Sequence, residues 1–114
     1  MPQVKVHMSQ ETKANEQMLA REIRKALVEV LGIKKNIGQV MIYKTPAEFR
    51  SAHESRDQNF VFVEINMYPG RSREMKETLL KRICSLINKH ASIDLSDVVC
   101  CVIEAGPENY YGGL

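Results

Sequence analysis

The sequence lacks the features of a membrane or secreted protein. Its 114 residues contain no apolar run of about 18 residues, the length that a membrane-spanning helix needs. The start, MPQVKVHMSQ, has no apolar core of the kind found in signal peptides. We therefore expect a cytoplasmic protein that does not bind membranes.

The sequence also lacks an excess of charge of one sign. It has 16 basic and 14 acidic residues, for a formal net charge of +2, and no long run of Lys or Arg. Proteins that bind nucleic acids usually carry a basic patch that neutralises phosphates. We therefore expect no nucleic acid partner.

Ligands for a metal are few. The 3 histidines are scattered, and the 3 cysteines form no Cys-x-x-Cys motif. The adjacent Cys100 and Cys101 cannot bond to each other without severe strain. Cys84 falls on the apolar face of a predicted helix, so we expect reduced core thiols rather than a reactive-cysteine site, with no metal and no cofactor.

The sequence does contain a pattern of strand, helix and strand, first seen in residues 1–44. Residues 3–8 alternate polar and apolar side chains, which predicts a half-buried strand. Residues 12–31 show helical apolar spacing that Gly32 ends, and residues 39–43 resemble a second strand.

The pattern recurs in residues 60–114, after a polar connector at residues 45–59. The second copy predicts a strand at 60–67, a helix at about 72–90 and a strand at 97–103. Apolar helix positions recur sixty residues apart, with Leu19, Ile23 and Leu27 matched by Leu79, Ile83 and Ile87. The length and the 44% apolar content fit one compact domain over residues 1–114.

Two βαβ units predict an α/β fold with a four-stranded sheet and two helices on one face. Each crossover places its two strands parallel, with the helix across one side of the sheet. Phe60, Phe62, Val99 and Cys101 have the parity of the other side, which is therefore apolar in places. A sheet that is apolar on its uncovered face indicates partner subunits, so we expect an oligomer.

Two segments of the second copy are similar to a known family. They are YPGRSREMKETLLKRI at residues 68–83 and DVVCCVIEAGPENYYGG at residues 97–113, and the chain begins Met-Pro. Along nearly its whole length, residues 60–114 resemble a 4-oxalocrotonate tautomerase subunit. The first copy resembles the same unit only in pattern, because Gln10-Glu11-Thr12 stands where Gly-Arg-Ser would be.

The resemblance implies a tautomerase/MIF-like fold and a homotrimer with sites between subunits. Fused double units of this kind include malonate semialdehyde decarboxylase, the cis type of 3-chloroacrylic acid dehalogenase and macrophage migration inhibitory factor. In these families the initiator Met is removed, and the proline that matches Pro2 becomes a free secondary amine. An α-amino group titrates near pH 7.7–8.0, and burial near a cation disfavours its protonated form, so Pro2 would serve as a general acid/base.

The resemblance also implies a small carboxylate substrate, a 2-oxo or enol acid. Arg71 matches the family arginine that binds the substrate carboxylate, for which the planar guanidinium is well suited. Arg73 is a candidate second anion ligand. Tyr110 and Tyr111 match an aromatic wall of the family's active site.

One departure from the family leaves the reaction open. The tautomerase has an arginine just after the Val that begins its second strand, whereas this chain has Val99 there and Met41 in the first copy. The hypotheses are a tautomerase or isomerase, a decarboxylase or hydratase-like lyase, and a trimeric binding or scaffold protein without catalysis. If Met1 is retained, Pro2 is an amide and has no basic lone pair.

Overall fold

The computed structural model describes residues 1–112, which form four strands and two long helices. In chain order these are β1 (Gln3–Ser9), α1 (Glu16–Leu31), β2 (Gln39–Thr45), β3 (Val61–Met67), α2 (Arg73–Ala91) and β4 (Val98–Glu104). The order strand, helix, strand occurs twice, which confirms the predicted tandem repeat.

The four strands form one mixed sheet in the order β2-β1-β3-β4. Within each repeat the strands are parallel, β1 with β2 and β3 with β4. The two repeats join through antiparallel pairing of β1 with β3, in which Val6 lies opposite Val63. The beginning of β1 therefore lies beside the end of β3.

The core lies between the two helices and one face of the sheet. Alternate residues of the two central strands face it, and the helix positions that recur in the two copies pack against them. The fully buried side chains include Val4, Val6, Met8, Val63, Ile65, Met67, Leu19, Ile23, Leu27, Leu79, Ile83 and Ile87. Burial of each such side chain contributes about 1.5–3 kcal/mol to folding.

The first helix begins later than the predicted residue 12. It starts at Glu16 because the Asn15 side chain accepts a hydrogen bond of 3.0 Å from the Met18 amide and so caps the helix. The Thr12 amide donates instead to a turn carbonyl, that of Ser9, at 3.1 Å. Helical spacing of apolar residues does not locate a helix start, whereas a capping side chain does.

The other ends agree with prediction to within two residues. Gly32, with φ of 67°, ends α1 in the left-handed conformation. Ser72 caps α2 by accepting a hydrogen bond from the Met75 amide at 3.1 Å. The strands β2 and β4 continue to Thr45 and Glu104, because their parallel ladders with β1 and β3 extend that far.

Within residues 1–112 no helix covers the other face of the sheet, and this face is partly apolar, as predicted. Met41, Tyr43 and Ile103 on this bare face are 50%, 40% and 43% exposed. The connector packs beside it, where the Arg50 guanidinium lies 4.2 Å from the ring centroid of Phe60. Within residues 1–112, neither long helix is apolar enough over a sufficient length to cross a membrane.

Candidate functional site

A cavity of about 430 Å³ opens where β1 begins, and Pro2 is part of its wall. The other side chains that line it come from both repeats and from the tail, and include Gln3, Asn36, Ile37, Gln39, Tyr68 and Tyr110. We call this the Pro2 cavity. Met1 lines it as well, and apart from the terminal amino group of Met1 the lining residues of the described chain carry no charge.

Pro2 is held at the cavity by the sheet on both sides. It is buried, and its carbonyl accepts a hydrogen bond of 3.2 Å from the Gln39 amide of β2. On the other side, the pairing of Gln3 with Asn66 places Pro2 next to the end of β3. The Pro2 nitrogen is bonded to Met1 in this structure, so it becomes an amine only when Met1 is removed.

Two tyrosines form the aromatic wall of the Pro2 cavity. The rings of Tyr68 and Tyr110 meet edge to face, with centroids 5.7 Å apart and planes at 89°. Tyr68 directly follows β3, and Tyr110 is returned to the same end of the sheet by a 3-10 turn at Pro107–Asn109. Sequence reasoning named Tyr110 but missed Tyr68, although its position directly after a buried strand was a signal.

A turn of the first repeat forms another part of the cavity wall. Arg24 of α1 holds this turn, because its guanidinium donates to the carbonyls of Gly38 at 3.1 Å, Ile37 at 3.3 Å and also Lys35. Asn36 brings an amide to the cavity from this turn. Sequence reasoning missed Asn36, because hydrophobic periodicity carries no information about a polar turn.

Arg71 lies at the same end of the sheet as Pro2. It follows Gly70 in the turn after β3, and its side chain is half-buried. It does not line the Pro2 cavity within one chain. Arg73, the first residue of α2, is exposed and lines a separate groove with Lys76 and Glu104.

The tail residues divide between the cavity and the solvent. Tyr110 and Gly112 line the Pro2 cavity, whereas Tyr111 is 88% exposed and does not. The segment that is similar to the family ends at Gly113, which lies outside the described residues.

The positions where the resemblance places an arginine carry apolar side chains on the bare face. Val99 has the same parity as the exposed Ile103, and Met41 lies on the edge strand β2. His7 is at the end of β1 away from Pro2. Its ring stacks on those of Tyr43 and Phe62, with centroids 5.0 Å and 6.1 Å away.

Among the described residues, no three His, Cys, Asp or Glu side chains are grouped so that they could hold a metal ion. The Pro2 cavity instead combines a buried proline, two tyrosines and the side-chain amides of Gln3, Asn36 and Gln39. Amide and phenol donors suit the oxygen atoms of a carbonyl or carboxylate.

Solved structures with this fold come from several proteins. A fused 4-OT described as a wild-type symmetric trimer has a TM-score of 0.83 and 17% identity, over 92% of this chain and 86% of that one. A macrophage migration inhibitory factor-like protein from Entamoeba histolytica has a TM-score of 0.82 and 18% identity, over 98% and 95%.

Malonate semialdehyde decarboxylase also shares the fold. Its TM-score is 0.78 at 18% identity, over 99% of this chain and 92% of that one. The structures of that protein include the wild type, a variant in which the proline at position 1 is alanine, and an inactivated form. They are described as a structural basis for its decarboxylase and hydratase activities. At these identities the likeness shows the fold alone, and it confirms the expected tautomerase/MIF-like fold.

No curated protein matches the chain in sequence. The family model described as tautomerase enzyme does match, over residues 39–111. This range covers more than half of the chain and includes β2, the second repeat and Tyr110. The chain therefore belongs to the tautomerase family.

Proposed function

We propose that the protein is a tautomerase-type isomerase in which Pro2, freed of Met1, acts as general acid/base on a small 2-oxo or enol carboxylate. The observation that carries the proposal is the burial of Pro2 in a cavity walled by Tyr68 and Tyr110. The family membership supports tautomerase-type chemistry. The proposal places the protein in the cytoplasm and requires no cofactor.

In this reaction one proton moves between oxygen and carbon. The neutral Pro2 nitrogen takes the hydroxyl proton of the enol as the C–O bond gains double-bond character. The protonated nitrogen then gives a proton to the neighbouring carbon, so the keto acid forms and the amine is restored. Burial helps because an amine with a pKa near the working pH exchanges protons efficiently in both directions.

Arg71 is the proposed ligand of the substrate carboxylate. Its turn follows β3 at the end of the sheet where Pro2 lies, while the cavity lining itself has no charged side chain. A planar guanidinium binds a carboxylate through two parallel charge-assisted hydrogen bonds. Arg73 is a second proposed ligand, and Tyr110 and Tyr111 are proposed to contact the substrate or the neighbouring subunit.

We further propose a homotrimer with the sites between subunits. The bare face of the sheet supports this assembly, because Met41, Tyr43 and Ile103 are exposed there and gain from burial. The fused 4-OT of the same fold is described as a symmetric trimer. In such an assembly the 88% exposed Tyr111 is available to contact a neighbouring subunit.

Two other functions are possible for a protein of this fold. A decarboxylase or hydratase-like lyase is favoured by the shared fold of malonate semialdehyde decarboxylase. A trimeric binding or scaffold protein without catalysis is favoured by the uncharged side chains that line the cavity and by Val99 and Met41 at the two positions where an arginine was expected.

The test combines an intact-mass measurement with activity assays on the same preparation. We expect a mass without Met1, and ketonisation of enol phenylpyruvate that falls by about 100-fold or more in Pro2→Ala. Because the chain lacks the strand arginine, we expect the monocarboxylate phenylpyruvate to react better than the dicarboxylate 2-hydroxymuconate.

The arginines are compared in the same assay. Arg71→Ala is expected to raise KM more than it lowers kcat, whereas the exposed helix residue variant Arg21→Ala serves as the matched control and keeps full activity. Retained Met1 in active protein, or activity indifferent to Pro2→Ala, would contradict catalysis by Pro2. If neither the wild type nor Pro2→Ala acts on either substrate, the result would favour a binding or scaffold protein without catalysis.

A further inference from the structure

Two cysteine sulfurs meet between the second helix and the outer strand of the sheet. Cys84 of α2 and Cys100 of β4 have their Sγ atoms 3.1 Å apart. Both side chains are half-buried and neither is in a disulfide. Cys101 is next to Cys100 in the chain but has the opposite parity on β4, so its side chain is on the other face of the sheet.

The pair is open to small molecules. Both cysteines line a groove of about 600 Å³ whose other residues include Leu80, Lys81, Leu95 and Val98. β4 is an edge strand of the sheet, so this groove lies at the border of the molecule rather than in the core. A small oxidant therefore has a path to the sulfurs.

The two thiols differ in acidity, and this difference indicates which of them reacts first. The hydrogen bond between the two sulfurs lowers the pKa of Cys84 to about 7, although burial acts in the opposite direction. The same hydrogen bond and burial raise the pKa of Cys100. The more acidic thiol is the better nucleophile at neutral pH, so we expect Cys84 to react first and Cys100 to react second.

We propose that Cys84 and Cys100 are a reversible thiol–disulfide site that is oxidised by hydroperoxides. In the first step the Cys84 thiolate attacks a peroxide oxygen and the O–O bond breaks. Sulfur loses two electrons and becomes a sulfenic acid, while hydrogen peroxide is reduced and leaves as hydroxide, which takes up a proton to become water.

In the second step the Cys100 sulfur attacks the Cys84 sulfur. The S–S bond forms, the S–O bond breaks, and the hydroxyl group leaves with the Cys100 proton as water. The sum is two thiols and one hydrogen peroxide giving one disulfide and two waters. A disulfide bond is about 2.05 Å long, so the sulfurs have to approach by only about 1 Å, which side-chain rotation supplies.

This site is independent of the Pro2 chemistry, because its residues do not line the Pro2 cavity. The sequence predicted reduced core thiols, and in the structure Cys84 and Cys100 are free thiols that pack against the core beside an open groove. The spacing of apolar residues predicted that Cys84 and Cys100 lie on apolar faces of their helix and strand. That their sulfurs are in contact depends on how α2 packs across β4.

The experiment exposes the full-length reduced protein to stoichiometric hydrogen peroxide and then alkylates the remaining thiols. We expect the 3 thiols of the reduced protein to fall to one, with a peptide that links Cys84 to Cys100 and full recovery after dithiothreitol. Cys101→Ala should behave like the wild type. Cys84→Ala should form no cross-link and react at least about tenfold more slowly, because its thiolate nucleophile is absent.

Cys100→Ala provides the second diagnostic variant. It keeps the nucleophile and lacks the resolving thiol, so we expect a sulfenic acid on Cys84 that dimedone captures. Retention of all three thiols in the wild type after peroxide, a cross-link through Cys101, or a disulfide between chains would each overturn the proposal. Circular dichroism of each variant before oxidation excludes misfolding as the reason for an altered thiol count.

Discussion

Tyr68 and Tyr110 meet edge to face at 5.7 Å in the wall of the Pro2 cavity, although they are far apart in the chain. Tyr68 is fixed by the end of β3, and the segment that carries Tyr110 is tied to the same strand end by a hydrogen bond of 2.9 Å from the Ala105 amide to the Met67 carbonyl. The shape of the cavity therefore depends on the tail being folded back on the sheet.

The tyrosine contact predicts a difference between two substitutions of Tyr110. Tyr110→Phe keeps the ring, whereas Tyr110→Ala removes an aromatic contact worth about 0.5–1.5 kcal/mol and opens the cavity. We expect kcat/KM for phenylpyruvate to stay within about twofold in Tyr110→Phe and to fall about tenfold in Tyr110→Ala. Equal losses in both variants would assign the effect to the hydroxyl group and contradict the role of the ring.

Arg24 is predicted to stabilise the turn that closes the cavity. Arg24→Met keeps the aliphatic part of the side chain but loses its hydrogen bonds to the carbonyls of Gly38 and Ile37. We expect the free energy of unfolding in urea to fall by about 2 kcal/mol, since hydrogen bonds from charged groups contribute about 1.5–3 kcal/mol.

Arg21→Met is the matched control for this prediction. Arg21 is an exposed arginine of the same helix, and its replacement should cost less than about 0.5 kcal/mol. If the two variants lose the same stability, the hydrogen bonds of Arg24 do not hold the turn.

Gly38 is predicted to tolerate a side chain less well than Gly32. Its φ is +93°, and a Cβ there would lie 3.1 Å from the Ile33 Cδ1 atom and 3.6 Å from the Leu27 Cδ1 atom. Gly32 also has positive φ, at +67°, but a Cβ there would meet nothing within 4 Å. We expect Gly32→Ala to cost about 1 kcal/mol from backbone strain alone, and Gly38→Ala to cost about 2 kcal/mol or more. Thermal unfolding of the two variants measures the difference, and equal costs would show that Ile33 moves aside freely.

The bare face of the sheet predicts the effect of a charge on assembly. Met41 is 50% exposed on this face, and Met18 is 42% exposed on α1. If the proposed trimer forms through this face, Met41→Lys should shift it towards monomer in light scattering, because a buried unpaired charge is costly at an interface. Met18→Lys should leave the mass of the assembly unchanged. A Met41→Lys protein that stays trimeric would show that the subunits meet elsewhere.

The acidity of Cys84 predicts a pH dependence of its alkylation. The hydrogen bond with Cys100 lowers the pKa of Cys84 to about 7, so the reactive thiolate is scarce below that pH and increases as the pH rises through it. Lys81 of α2 and Cys100 of β4 are the titratable side chains that line its groove. The rate of iodoacetamide labelling at Cys84, followed by peptide mass, should therefore have its midpoint near pH 7.

Cys100→Ala is the control for this pH dependence. Loss of the hydrogen bond should move the midpoint of Cys84 labelling up to the ordinary thiol range, about 8.5. A midpoint that does not move would show that the Cys100 thiol does not stabilise the Cys84 thiolate.

Much of the fold could be predicted from the sequence, because helices and strands have characteristic short-range spacings of apolar residues. Alternation in β1 and β3 and three-to-four spacing in the helices identified the core positions that recur in both repeats, such as Leu19 with Leu79. The start of α1 was missed by four residues, since the cap at Asn15 depends on a side-chain hydrogen bond that periodicity does not contain.

The candidate site was only partly predictable. Similarity to a family named Pro2, Arg71, Arg73, Tyr110 and Tyr111, and their roles stay predictions. The structure brings Pro2 and Tyr110 into one cavity and leaves Arg71, Arg73 and Tyr111 outside its lining within one chain. Tyr68 and Asn36 could not be found from periodicity, because their relevance comes from which strand ends and turns lie together.

The sequence by itself therefore determined the order of the elements, the two faces of the sheet and the buried side of each helix, since these depend on neighbours a few residues away. Only the tertiary structure decided that β1 pairs antiparallel with β3, that Arg24 holds the turn beside Pro2, and that Cys84 meets Cys100. These contacts join segments far apart in the chain, and their geometry is set by strand register and helix packing rather than by local preference.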